Sequence, residues 1–217
     1  GMYKVSNNNL LYHGCIPMTT SGEFDTLELS HGHYSGKALL DHLDQRVRQA
    51  YYTGDPDSVD LMWYLWCGAK SPLFGKDRMT TFERCFIGDK SLQAEPMNPY
   101  YHCYEDPAQC TKILEDFGLN PSHAHIVNGH VPVKNGENPV KAGGRLFVID
   151  GGISKAYQSK TGIAGYTLIF NSHNIELAEH MPFRPADETH PLAEMSSSVH
   201  IVERMPRRLT VADTDAG

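Results

Sequence analysis

The sequence predicts a mixed α/β chain of the α+β kind, with strands at both ends and helices between them. Three observations carry that reading. Short apolar runs of strand length occur near residues 9–12 and again repeatedly beyond residue 125. Two stretches between residues 36 and 66 place apolar residues at helical spacing. Two alternating runs near the C-terminal end are joined by Ser172-His173-Asn174, a hairpin signal.

The elements follow in order. Residues 9–12 read as a short strand, and 24–29 alternate apolar and polar side chains like another. Residues 36–52 carry Leu39, Leu40, Leu43, Val47 and Ala50 on one helical stripe, closed by Thr53-Gly54-Asp55-Pro56. A second helix over 58–66 is apolar on several sides and is expected to be buried. Residues 68–99 are loop-rich. Residues 106–117 form an amphipathic helix, with Pro107 in its first turn and Gly118 at its C-terminal end. Strands are expected at 125–127, 145–149, 166–171 and 175–179. Gly143-Gly144 reads as a hairpin turn and Gly151-Gly152 as a strand-end turn. From residue 180 the chain is polar and proline-bearing, an extended tail with one more strand at 199–204. The whole, 1–217, is read as one domain.

Composition excludes several classes. A 217-residue chain with 40% hydrophobic and 21% charged residues can bury a sizeable core. A formal charge of -7 argues against nucleic acid or an anionic membrane as the main partner. No apolar run approaches the ~20 residues that span a bilayer, and the first residues lack the apolar segment of a signal peptide. Gly1 before Met2 reads as a cloning remnant. The five cysteines are odd in number and widely spaced, which points to reduced thiols and a cytoplasmic setting. Cys103 and Cys110 with His102 nearby fit no common zinc spacing, so free thiols are the preferred reading.

Among 12 histidines, two stand in matching settings. His13 lies in Leu-Leu-Tyr-His-Gly-Cys-Ile-Pro and His130 in His-Ile-Val-Asn-Gly-His-Val-Pro-Val. In each, a strand-like run delivers an imidazole beside a glycine, with a proline close behind. A strand end holds such a ring rigidly at the rim of a sheet, where neutral imidazole is a common ligand for Mn, Zn or Fe. His31-Gly32-His33 sits in a polar connection and reads as structural, as does at least one of His123 and His125. Asp150 either orients a histidine or caps the Gly151-Gly152 turn, and the turn is the simpler assignment.

These residues carry a resemblance. His-Gly-Cys-Ile-Pro and Asn-Gly-His-Val-Pro-Val resemble the two late His-Gly and Gly-His steps of the calcineurin-like metallophosphatase superfamily. Asp60-Leu-Met-Trp-Tyr-Leu-Trp66 resembles the helix between those steps, and Leu146-Phe-Val-Ile-Asp-Gly-Gly152 with Gly162-Ile-Ala-Gly-Tyr-Thr-Leu-Ile169 resembles its closing strands. Within the superfamily, the twenty residues Leu65-Trp-Cys-Gly-Ala-Lys-Ser-Pro-Leu-Phe-Gly-Lys-Asp-Arg-Met-Thr-Thr-Phe-Glu-Arg84 are similar to class III, bacterial, fructose-1,6-bisphosphatase. So are Ile149-Asp-Gly-Gly-Ile-Ser-Lys-Ala-Tyr-Gln158 and Leu209-Thr-Val-Ala-Asp-Thr-Asp215.

The resemblance implies the C-terminal portion of such an enzyme, without the Asp-x-His, bridging Asp and Asn-His elements that lie upstream in the superfamily. It implies half of a metallophosphatase β-sandwich flanked by helices, one sheet with its helices being expected here. It also implies a hydrolase of gluconeogenesis that removes the 1-phosphate of fructose 1,6-bisphosphate on two divalent metals, manganese first among them. His13 and His130 would then ligate one shared metal. Two neutral nitrogens hold a cation weakly, so the chain alone is expected to bind metal poorly and to be inactive. A bisphosphate pocket needs cations, and Arg48, Lys70, Lys76, Arg78 and Arg84, with Tyr157 and Lys155, are the candidates. The expected partners are a sugar phosphate, the remaining portion of the enzyme and further copies of the chain, to hide an uncovered apolar face. Two alternatives stand beside this reading: another phosphatase of the superfamily, acting on proteins or dinucleotides, and a non-catalytic binding or assembly module.

Overall fold

Three parallel strands organise the molecule. The computed structural model describes residues 1–29, 32–134, 136–152, 154, 158–162, 165–181, 183, 185–186, 188–189 and 197–217. In that frame β2 (Asn9–Tyr12), β5 (His125–Asn128) and β7 (Leu146–Val148) run parallel side by side. Antiparallel strands β1 (Tyr3–Ser6) and β6 (Val140–Lys141) close the two edges, giving the order β1-β2-β5-β7-β6. Ala142–Gly144 turns β6 into β7, so Gly143-Gly144 does form the expected hairpin turn.

Neighbouring residues of the parallel strands point to opposite faces, and both faces are buried. On one side Leu10, Ile126, Leu146 and Val148 join α1 (Gly36–Thr53) and α5 (Pro107–Asp116) through Leu39, Leu40, Leu43, Ile113 and Leu114. On the other, Val127 and Phe147 meet a second sheet. That sheet has the order β10-β9-β8, from β8 (Tyr166–Phe170), β9 (Asn174–His180) and β10 (Ser197–Arg204), and contributes Leu168, Phe170 and Ile175. The described residues therefore hold two packed sheets besides the small hairpin below, not the single sheet expected, because the 166–180 hairpin stacks on the first sheet instead of extending it.

Helix ends follow their sequence signals. Asp106 accepts from the Ala108 N–H at 2.9 Å ahead of Pro107, and Asp55 accepts from Ser58 N–H at 3.0 Å ahead of Pro56. Gly54 ends α1 in the left-handed region at φ 65°. A small hairpin of β3 (Leu27–Leu29) and β4 (Gly32–Tyr34) replaces the longer strand expected over 24–29, with Phe24 reduced to a bridge with Met18. The 68–99 stretch holds a short helix, α3 (Thr81–Phe86), inside its loops, and the single turn α4 (Tyr100–Cys103) follows it.

One expectation fails clearly. Helix α2 (Pro56–Cys67) is not buried: only Ser58 and Leu65 are fully covered, whereas Trp63 is 74% and Trp66 69% exposed. The helix leans on the core through Leu61, Tyr64 and Leu65, and its opposite side, with Val59, Met62, Trp63 and Trp66, is exposed. All five cysteines are free, with Cys15 and Cys110 buried. Among the described residues no helix is long and apolar enough to cross a membrane.

Candidate metal centre

The carboxyl ends of β2, β5 and β7 share one edge of the first sheet, where open α/β sheets place their ligands. His13 follows β2, Gly129-His130 follows β5, and Asp150 follows β7 by two residues. Four main-chain and amide hydrogen bonds lock these ends together. Gly129 N–H donates to His13 O at 3.0 Å, and the buried Asn128 amide donates to His13 O at 3.3 Å and Gly14 O at 2.6 Å. Ile149 N–H donates to Asn128 O at 3.0 Å. His130 itself adopts φ 68°, a left-handed conformation costly for a side-chain-bearing residue and held by this surrounding network.

The result is a pair of rings in contact. His13 Nε2 and His130 Nδ1 are 3.1 Å apart, with the ring planes at 81°. The opposite nitrogen of His130, Nε2, stands 3.0 Å from the Phe74 carbonyl. A carbonyl only accepts, so Nε2 carries the hydrogen and Nδ1 presents its lone pair to His13. Burial lowers the His130 pKa, and His13 and Lys76 push the same way against the Phe74 bond and Asp150, so the ring is neutral near pH 7.

A divalent ion there would have His13 Nε2 and His130 Nδ1 as its donors, imidazole nitrogens being common ligands for Mn, Zn or Fe. Without an ion the same contact is a hydrogen bond from His13 Nε2–H to His130 Nδ1. No third His, Cys, Asp or Glu joins the pair into a ligand group among the described residues. Asp150 does not serve: its carboxylate accepts from Gly152 N–H at 3.0 Å and caps the turn.

The Phe74 carbonyl is placed by a turn that sequence reasoning passed over as loop. Ser71 Oγ donates to Leu65 O at 2.6 Å and accepts from Leu73 and Phe74 N–H, while Gly75 N–H returns to Ser71 O at 2.9 Å. Cys15 N–H donates to Pro72 O at 2.8 Å, clamping the turn to His13-Gly14. The signal lay in the density of Ser, Pro and Gly over 71–75.

The candidate phosphate-binding residues divide by position. Arg48 lines a groove of about 730 Å³ with Lys4, Tyr12, His13, Asn128 and His130. Asp44 holds it there at 2.7 Å, and Asp44 also accepts from Met2 N–H at 3.2 Å. Lys76 is close enough to His130 to act on its charge, yet its ammonium is bound to Glu95 at 2.6 Å. Arg84 reaches the same carboxylate at 3.3 Å, and Lys70 is paired with Asp25 at 2.9 Å. Arg78 is exposed and makes no ion pair among the described residues. Tyr157 and Lys155 lie outside the described residues, as does His31. Sequence reasoning missed Glu95 because its partners are 11 to 19 positions away.

Comparison with known families gives a match to one described as Firmicute fructose-1,6-bisphosphatase over residues 1–217. A protein named fructose-1,6-bisphosphatase class 3 from Fusobacterium nucleatum is 52% identical over 100% of this chain and 35% of its own length. Proteins of the same name from Finegoldia magna and Bacteroides fragilis are each 47% identical over 100% of this chain and 34% of theirs. The chain thus spans about a third of the length of these relatives. No solved structure matches it.

Proposed function

Because the chain belongs to the Firmicute fructose-1,6-bisphosphatase family, we propose that it forms the C-terminal part of a metal-dependent enzyme hydrolysing the 1-phosphate of fructose 1,6-bisphosphate. The observation that carries this is the 3.1 Å approach of His13 Nε2 to His130 Nδ1 at the carboxyl ends of adjacent parallel strands. These two nitrogens hold one divalent cation, manganese by preference, and the remaining portion of the enzyme supplies the other ligands and the second metal.

A cation bound there supplies Lewis acidity to the phosphoryl oxygens. The chain's own residues do the rest. Phe74 O fixes the His130 tautomer so that Nδ1 faces the cation. Arg48, held by Asp44 at the groove wall, takes a phosphate of the substrate in its guanidinium fork. Lys76 adds positive charge beside His130, and Glu95 sets its position. Residues 1–217 act as one domain in the cytoplasm, in the gluconeogenic branch of sugar metabolism and as part of a homo-oligomer; the five free thiols fit a reducing compartment.

Isothermal titration with Mn²⁺ tests the reading. The chain is expected to bind it weakly, to lose that binding in His13→Ala, and to release no phosphate from fructose 1,6-bisphosphate by itself. Binding that survives His13→Ala unchanged would remove the pair from the site.

A further inference from the structure

The short helix α4 reaches both histidines through intermediaries. Asn98, buried two residues before it, accepts at Oδ1 from Tyr100 N–H at 3.0 Å and from Met18 N–H at 3.1 Å. Its own N–H donates to Gly75 O at 2.9 Å. Tyr100 is wholly buried, and its hydroxyl shares a 2.7 Å hydrogen bond with that of Tyr12, the residue before His13. Tyr101 stands edge-on to Tyr100, with ring centres 5.2 Å apart.

Tyr101 is the part of this cluster that meets the 71–75 turn. Gly75 has φ 66°, and a Cβ built on it would lie 2.6 Å from Tyr101 Oη and 3.0 and 3.2 Å from Cε2 and Cζ. Those are the three atoms nearest to it, so the Tyr101 ring fills the space that a side chain would need there. The buried hydroxyl makes no hydrogen bond to the turn, which leaves ring contact as the support. The Phe74 carbonyl belongs to the rigid peptide plane that runs into Gly75, so a shift of the Gly75 Cα re-aims that oxygen. His130 Nε2 donates to the same oxygen at 3.0 Å.

We propose that Tyr101 is a positioning residue for His130: by bearing on Gly75 it sets the Phe74 carbonyl, which keeps the hydrogen on Nε2 and turns the Nδ1 lone pair toward His13. Tyr100, through Tyr12, ties the same helix to the strand end that carries His13, so the two rings share one frame. If the carbonyl moves away, Nε2 loses its acceptor and the hydrogen is free to sit on Nδ1, where it blocks a cation. This deepens the metal-site reading and rests on it for its use, but the tautomer is a property of the metal-free chain.

Nitrogen-15 spectra of the histidine side chains, taken on the metal-free chain at neutral pH, test it. The parent is expected to carry the His130 hydrogen on Nε2. Tyr101→Leu is expected to shift the tautomer ratio about fivefold or more toward Nδ1–H, the effect of losing one hydrogen bond. Tyr101→Phe, which keeps the ring, should hold the parent ratio. Tyr104→Leu should hold it too, since Tyr104 packs on Tyr100 and Tyr101 in the same cluster but is not among the atoms nearest Gly75. Should Tyr101→Leu lose its fold by circular dichroism, Tyr101→Met carries the same expectation. With Zn²⁺ added, affinity should fall about tenfold in Tyr101→Leu and stay at the parent value in Tyr101→Phe. An unchanged tautomer in Tyr101→Leu overturns the proposal, as does an equal shift in Tyr104→Leu, which would reduce Tyr101 to general packing. A tautomer that shifts in a chain binding no Zn²⁺ upholds the positioning role and refutes the metal reading instead.

Discussion

Gly14 and Gly129 stand beside the two histidines in matching motifs, yet the structure gives them opposite tolerances. A Cβ built on Gly14 would lie 2.1 Å from the Pro72 carbonyl oxygen, a backbone atom that cannot swing aside. To reach ordinary contact, the 71–75 turn and the end of β2 must part by about 1 Å, which overpacking data price at about 1–3 kcal/mol. The same movement stretches the Cys15 N–H bond to Pro72 O, now 2.8 Å, in a residue only 1% exposed. An orphaned buried N–H adds about 1–3 kcal/mol. Gly14→Ala is therefore expected to destabilise the chain by about 3 kcal/mol. Gly129→Ala meets nothing nearer than 3.6 Å and should change stability by less than about 1 kcal/mol. Urea unfolding of the two variants, read from midpoints at constant slope, checks both values. Equal effects, or a Gly14→Ala loss below about 1 kcal/mol, would refute the reasoning that the turn is clamped to the strand end at this point.

Glu95 carries the acid sensitivity of the loop region. Burial pushes its carboxyl up, but Lys76 and the Thr80 N–H and hydroxyl outweigh that and hold it at about 2. Because the folded value is depressed, this stabilisation is full above the unfolded carboxylate value and fades as pH falls from about 4.5 towards 2, by about 3 kcal/mol at most. Urea midpoints at pH 6 and pH 3 should differ less in Glu95→Gln than in the parent chain. His13→Ala should weaken Mn²⁺ binding at least about tenfold, whereas Arg48→Ala, whose side chain is 59% exposed, should leave stability within about 0.5 kcal/mol. If Arg48 takes a substrate phosphate as proposed, Arg48→Ala in a family-length enzyme should raise KM for fructose 1,6-bisphosphate about tenfold or more, the loss of one charge-assisted contact. An unchanged KM would return Arg48 to a purely structural role beside Asp44.

Much of the fold was legible because it is local. The helical spacing of Leu39, Leu40 and Leu43, the Asp-Pro starts of α2 and α5 and the glycine stop after α1 all act within a turn or two of chain. The histidine pair was legible for the same reason: each ring ends a strand, and parallel strands bring their carboxyl ends together. What escaped depends on distant partners. Nothing near Lys76 or Arg84 in the sequence announces Glu95, so two candidate phosphate ligands turned out to share one carboxylate. Helix α2 is apolar enough to be buried, but burial depends on what packs against it, and the described chain covers its Leu61, Tyr64 and Leu65 side while leaving Trp63 and Trp66 exposed. The second sheet escaped because a hairpin's own sequence does not say whether it extends a sheet or stacks on one.

The central claim is that His13 Nε2 and His130 Nδ1 converge on one cation. Nitrogen-15 spectra of the histidine side chains during titration with Zn²⁺, a diamagnetic probe of the same charge, test it atom by atom. The His13 Nε2 and His130 Nδ1 resonances are expected to shift together, while His130 Nε2 keeps its hydrogen on the Phe74 carbonyl. A shift of one ring alone, or metal arriving at His130 Nε2, would contradict it.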